Sequence, residues 1–149
     1  MEIEIINAPI RFSLHGKSST VPNNRFGEVG MTLMDEMWKV VKSTNTATTG
    51  INHWVYLADG YMFVGVEILP KAQAPEGLEP LQFELERYLK HVHIGPYQAL
   101  PEKWKALKAE LAARDETIGS FSLEVYGHHC IDASKLETTI LIGLQQKDT

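Results

Sequence analysis

Apolar and polar positions alternate on both sides of a turn between Trp54 and Glu67, and that alternation sets the strongest expectation in the chain. Asp59-Gly60 is a two-residue turn signal, because both positions tolerate positive φ, so the segment predicts a tight β-hairpin. A turn of that length puts Tyr56 opposite Phe63, Trp54 opposite Gly65 and Asn52 opposite Glu67. Side chains on a strand change face with a period of two. One face then carries Val55, Leu57, Met62, Val64, Val66 and Ile68, and the other carries Trp54, Tyr56, Tyr61 and Phe63 with Glu67 at its end. Flat rings and a carboxylate on one face can wall a pocket for an aromatic or cationic small molecule. The same rings also fit a homodimer patch or a second small core, and Glu67 also fits a solvated hairpin end.

Helical periodicity flanks this hairpin. Phe26, Val29, Gly30, Leu33, Met34, Met37, Trp38 and Val41 form one broad stripe, with Asn23 or Asn24 as candidate N-cap and a polar loop from Ser43 to Gly50 ending it. Tyr97, Leu100, Trp104, Leu107 and Leu111 form a second, begun by Gly95-Pro96 with Pro101 in its first turn. Trp38 and Trp104 both read as core residues, with room for an edge of each ring at the cleft. A strand over 10–15 precedes the first helix and one over 81–94 precedes the second, while 119–126 and 136–145 follow it. The order is β-α-β-β twice, with half-repeats over about 1–69 and 81–149 and a proline-bearing linker over 70–80. The predicted fold is α+β: a single domain over 1–149 built as a tandem repeat with pseudo-two-fold symmetry, antiparallel sheets and one helix per half.

In the second half Phe121, Leu123 and Val125 alternate with Ser122, Glu124, Tyr126 and His128. If each helix covers the aliphatic face of its own half, the two ring-bearing faces stay bare and line a central ligand cleft. Glu124 and Tyr126 would then stand near Trp54, Tyr56 and Phe63.

The net charge of −5 offers no basic stripe to neutralise phosphates, which argues against direct nucleic-acid binding. Met1-Glu2-Ile3-Glu4 has no cationic, apolar leader pattern, no segment approaches a membrane span, and the lone Cys130 excludes an intrachain disulfide. Together these predict a cytoplasmic protein without a membrane partner.

His93-Ile94-Gly95-Pro96-Tyr97, the helix bearing Trp104, Ser122-Leu123-Glu124-Val125-Tyr126 and Glu137-Thr138-Thr139-Ile140-Leu141-Ile142 together resemble the GyrI-like small-molecule-binding domain. That module also serves as the effector-binding domain of bacterial transcription activators and multidrug-sensing regulators, built on an SHS2-type repeat. The resemblance covers nearly the whole chain. It implies a ligand cleft between tandem β-α-β-β halves and aromatic walls with a buried glutamate that holds lipophilic cations. Glu124 takes the glutamate's place, Tyr126 that of its tyrosine partner, and Tyr97 that of the Gly-Pro-Tyr tyrosine. Starting so close to Met1, the chain reads as a stand-alone member without a DNA-binding domain.

The leading expectation is therefore binding of amphipathic aromatic or cationic compounds by Trp54, Tyr56, Phe63, Glu67, Tyr97, Glu124 and Tyr126. Some relatives of that kind hydrolyse strained cyclopropanes, which would make Glu124 a catalytic base with Tyr97 or Tyr126 as acid. Others bind a large protein such as a topoisomerase, so a protein partner or a homodimer is a further alternative. No cofactor is implied. His91-Val92-His93 and His128-His129 have zinc-like spacing, but the sequence sets no third and fourth ligand, so no metal site is expected. Cys130 has no neighbour that would activate a thiol, and no P-loop, dinucleotide fingerprint or nucleophile elbow is present.

Overall fold

The computed structural model describes residues 2–127 and 131–147, so His128, His129 and Cys130 lie outside the described residues. Its strands are β1 (Glu4–Ile6), β2 (Ile10–Thr20), β3 (His53–Leu57), β4 (Tyr61–Val66), β5 (Glu79–Leu85), β6 (Tyr88–Ile94), β7 (Ile118–Tyr126) and β8 (Glu137–Leu144), and its helices are α1 (Phe26–Thr44) and α2 (Leu100–Ala113). The class is α+β. The chain divides into two compact units, a first over Ile10–Glu84 and a second made of residues up to Pro9 together with those from Leu85 onward.

Among the described residues each unit contains one α-helix and four strands, and the strands lie in matching order across the sheet. In the first, β3 pairs with β4, β4 with β2, and β5 lies beside β2. In the second, β7 pairs with β8, β8 with β6, and β6 with β1, all antiparallel. The edge strands are exchanged relative to chain order. β1 precedes β2 but pairs with β6, and β5 precedes β6 but belongs beside β2. The stretch expected as one strand over 81–94 is accordingly two, β5 and β6, separated at Glu86-Arg87.

Within the segment over 70–80 expected as a linker, Leu78 and Glu79 make contacts within the first unit while most other positions are exposed. Leu78 is buried with Met37, Val41 and Val66, and Glu79 accepts hydrogen bonds from the Ser18 amide at 3.1 Å and hydroxyl at 2.8 Å. Both helical stripes hold: α1 buries Gly30, Leu33, Met37 and Val41, and α2 buries Leu100, Leu107 and Leu111. Neither Asn23 nor Asn24 caps α1. Both adopt positive φ in a turn ahead of it, and Arg25 occupies the cap position without a side-chain bond. At the other end Asn45, at φ 51°, terminates α1 with its amide on the Lys42 carbonyl, a left-handed residue closing a helix C-terminus.

A buried ion pair ties the second unit together. The Arg87 guanidinium forks onto Glu116, whose side chain is 2% exposed, while Arg87 Nε donates to Asn7 Oδ1 at 2.9 Å and Lys147 Nζ lies 3.5 Å from Glu116. Hydrogen bonds from Arg87 hold the Glu116 carboxyl below its ordinary value of 4.5. A depressed carboxyl contributes stability above its unfolded-state value, lost as pH falls through the folded one. Removing Arg87 takes away two hydrogen bonds to the Glu116 carboxylate and leaves Lys147 Nζ as its cationic neighbour. Arg87→Ala should therefore cost about 1.5 kcal/mol at neutral pH, measured by urea unfolding, and the deficit should shrink as the pH falls below about 4.5.

Candidate functional site

The chemistry of the second unit gathers around Glu124 on β7. Direct pairing places Glu124 opposite Ile140 and Tyr126 opposite Thr138, and continues to His91 and His93 on β6. These residues share one face with Leu89 and Ile142, and that face is the one packed against α2: Leu89, Ile140 and Ile142 form one apolar cluster with Leu100, Leu107 and Leu111, bordered by Trp104 and Tyr126. α2 therefore covers the face bearing Glu124, and the expectation that it covers Phe121, Leu123 and Val125 is corrected.

Glu124 is only 3% exposed. Trp104 Nε1 donates to its Oε2 at 2.6 Å and Tyr126 Oη to its Oε1 at 2.6 Å. An indole from the helix and a phenol from the strand thus each engage one carboxylate oxygen, at distances typical of bonds to a charged acceptor. Tyr97, 38% exposed, stands edge-on to Tyr126 with ring centroids 5.3 Å apart and planes at 89°. Lys108, one turn further along α2, has its Nζ 5.9 Å from the Trp104 ring centroid. Tyr97, Glu124 and Tyr126 are brought together as expected.

Trp104 joins this cluster as more than a core residue. The signal for it was available in the sequence, since a tryptophan on an apolar stripe still requires an acceptor for its N–H. Glu124 offers the acidic group on the alternating face of β7.

His91 and His93 are buried on this face, but each is engaged by backbone: His91 Nδ1 by the Glu2 carbonyl and His93 Nε2 by the Pro96 carbonyl, the latter at 3.2 Å. Among the described residues no group of three or more His, Cys, Asp or Glu is placed to hold a metal ion.

The first unit departs from expectation in its register. Residues 58–60 form the hairpin loop, so Leu57 pairs with Tyr61, Tyr56 with Met62, Val55 with Phe63, Trp54 with Val64 and His53 with Gly65. Asp59 and Gly60 do take positive φ, but the loop is one residue longer than the two-residue turn. A one-residue change of register turns every side chain of one strand to the other face. Trp54 and Tyr56 consequently share a face with Met62, Val64 and Val66, while Phe63 and Glu67 share the opposite face with His53.

α1 covers the face of Trp54 and Tyr56. A Cβ on Gly30 would fall 2.2 Å from the Trp54 ring, so only glycine admits the indole there, and Tyr56 meets Phe26 edge-on at 5.3 Å. Gly65 has its own ring to accommodate: Phe63, which an added Cβ would meet at 2.5 Å. The expected Trp54–Gly65 pairing is thus replaced by Trp54 on Gly30 and Phe63 over Gly65.

Glu67 is half-exposed, with Oε1 3.8 Å from Nε2 of His53, whose Nδ1 lies 3.0 Å from the Ile51 carbonyl and whose ring meets Phe12 edge-on. Burial pushes the His53 pKa below 6.5, against the opposing pull of the Ile51 carbonyl and of Glu67.

No protein-family model matches the sequence, and no curated protein matches it. Solved structures do. SAV2435 bound to tetraphenylphosphonium is similar over 97% of this chain and 94% of its own, at 14% identity and a TM-score of 0.64. The EcmrR C-terminal domain is similar over 99% of this chain and 100% of its own, at 13% identity and a TM-score of 0.68. A hydrolase from Listeria innocua is similar over 97% of this chain and 92% of its own, at 10% identity and a TM-score of 0.57. The chain shares the fold of these proteins. Among the described residues no helix is long and apolar enough to cross a membrane.

His53 supplies a test of the first unit. Its depressed folded pKa means that the unfolded chain binds a proton before the folded one does, so its contribution is complete above pH 6.5 and is lost as pH falls from there. The urea midpoint of the wild type should drop between pH 7.5 and 5.5 by more than that of His53→Gln, the difference between the two curves isolating this residue.

Proposed function

We propose that the protein binds amphipathic aromatic cations, and that Glu124 is the charge-selecting group. The observation that carries this reading is a carboxylate 3% exposed, gripped by Trp104 and Tyr126, with the exposed ring of Tyr97 edge-on to Tyr126. Burying a carboxylate among apolar side chains costs several kcal/mol, a cost that a ligand's positive charge offsets. The rings beside it contribute through their faces, at about 0.5–2 kcal/mol per cation–π contact. Two or three such contacts with one carboxylate reach the ~8 kcal/mol of micromolar binding once apolar burial is added. The fold shared with SAV2435, seen with tetraphenylphosphonium, supports the same class of ligand.

A second reading, hydrolysis of electrophilic small molecules, is favoured by one feature: the 2.6 Å bond from the Tyr126 hydroxyl to Glu124, an acid–base pair in one site. The fold shared with a hydrolase from Listeria innocua is in keeping with it. In that case Glu124 activates water and a phenol protonates the leaving group.

Calorimetric titration with tetraphenylphosphonium separates these readings. Binding is expected in the micromolar range, with Glu124→Gln weakening it about tenfold, near 1.4 kcal/mol, and leaving a neutral aromatic of similar shape unaffected. Equal affinity of wild type and Glu124→Gln for the cation would remove Glu124 from the role. Consumption of a cyclopropane-bearing electrophile by the wild type, abolished in Glu124→Gln with binding retained, would favour the hydrolase.

A further inference from the structure

A short corner between β6 and α2 carries Tyr97, and one buried side chain, His93, bonds to that corner. β6 ends at Ile94, and the chain turns through Gly95 at φ 140°, a conformation open to glycine and closed to most other residues. Gly95 donates its amide to the Leu136 carbonyl at 2.8 Å, which anchors one side of the corner to the segment before β8. Pro96 follows in extended conformation, and Tyr97–Ala99 make a single 3₁₀ turn that leads directly into α2.

The Pro96 carbonyl has two partners. The Ala99 amide donates to it at 3.2 Å, closing the turn, and His93 Nε2 reaches it at 3.2 Å from β6. Because a carbonyl only accepts, His93 must carry its proton on Nε2. His93 is 7% exposed and lies on the α2-covered face, in line with Thr138 and Tyr126 across three paired strands. The residue after the held carbonyl is Tyr97, whose ring meets Tyr126 edge-on at 5.3 Å. A continuous set of contacts therefore runs from His93 through Pro96 and Tyr97 to Tyr126 and Glu124.

We propose that His93 is a positioning residue: its bond to the Pro96 carbonyl holds Tyr97 against Tyr126, so that the Gly95–Tyr97 corner controls how long a ligand stays at Glu124. The part concerning ligand residence rests on the cation-binding reading above, whereas the latch itself does not. Tyr97 is the exposed member of its ring pair with Tyr126, and Tyr126 bonds to the buried Glu124, so on this proposal displacement of Tyr97 frees the ring that grips the carboxylate. On the same proposal His93 acts through Tyr97 and not on the ligand.

Two measurements on the full chain test this. In the ligand-free protein, hydrogen exchange of the Ala99 and Leu100 amides, which close the 3₁₀ turn onto Pro96 and Tyr97, should run about tenfold faster in His93→Ala. Amides of β6 and β8 should keep their wild-type rates. His93→Gln, whose side-chain amide nitrogen takes the place of Nε2, should restore the Ala99 and Leu100 rates to within about twofold. In the second measurement, release of tetraphenylphosphonium followed by stopped flow should be about tenfold faster in His93→Ala and near wild type in His93→Gln.

Unchanged exchange at Ala99 and Leu100 in His93→Ala overturns the latch, as does uniform acceleration across the unit or a His93→Gln variant that behaves like alanine. A wild type that takes up no tetraphenylphosphonium overturns the cation-binding reading instead, and the exchange data then judge the latch alone.

Discussion

A carboxylate placed inside an apolar cluster has few acceptable surroundings, and Glu124 fixes those of the second unit. Its two oxygens are met by donors from different elements, Trp104 on α2 and Tyr126 on its own strand. Each hydrogen bond to a charged group is worth about 1.5–3 kcal/mol, so losing either leaves a buried charge short of a partner. The indole can reach Glu124 only if α2 lies across the β7–β8–β6 face with its Leu100, Leu107 and Leu111 side turned inward. The same placement buries Leu89, Ile140 and Ile142. The polar requirement and the hydrophobic one select a single docking of the helix, and the site is a consequence of how the unit is packed.

The two units repeat this local plan with different chemistry. Trp54-Val55-Tyr56 on β3 corresponds to Glu124-Val125-Tyr126 on β7, each with its outer residues on the face that the helix covers. Tyr56 meets Phe26 edge-on at 5.3 Å, and Tyr126 meets Tyr97 edge-on at 5.3 Å. Each helix also carries a tryptophan whose N–H is satisfied from outside the helix. Trp38 donates to the Asn52 side chain at 2.8 Å, whereas Trp104 donates to Glu124. In the first unit the glutamate position holds an indole seated on Gly30, and the acceptor is a neutral amide. The first unit thus has apolar packing where the second has a carboxylate and two phenols.

Much of this could be read before any coordinates. The stripes over 26–41 and 100–111 specify both helices, the β-α-β-β order specifies the class, and the Glu-x-Tyr element points to the cluster around Glu124. Three physical facts escaped the pattern. The signal Asp59-Gly60 is compatible with loops of two or three residues, and only packing decides between them. Trp54 against Gly30 and Phe63 over Gly65 fit the three-residue loop, and that choice inverts one strand's faces relative to the other. Apolarity alone predicts the wrong face for α2: Glu124 and Tyr126 lie beneath it because Trp104 supplies a polar contact on an otherwise apolar stripe. The pairing of β1 with β6 is non-local, and three residues carry too little periodicity to announce a partner.

The arrangement around Glu124 also constrains what kind of selectivity the proposed site can have. A neutral aromatic ligand would gain from ring contacts and apolar burial, but would leave the carboxylate's charge unanswered. An anion would meet that charge directly, in a chain whose net charge is already −5, and repulsion in a low-dielectric setting is strong. Only a cation gains from both the rings and the carboxylate. Because Trp104 and Tyr126 are held by their bonds to Glu124, little side-chain ordering remains to be lost on binding, which favours affinity through preorganisation. Discrimination is a difference between binding free energies, and here that difference comes from one charged group whose position is set by its two aromatic donors.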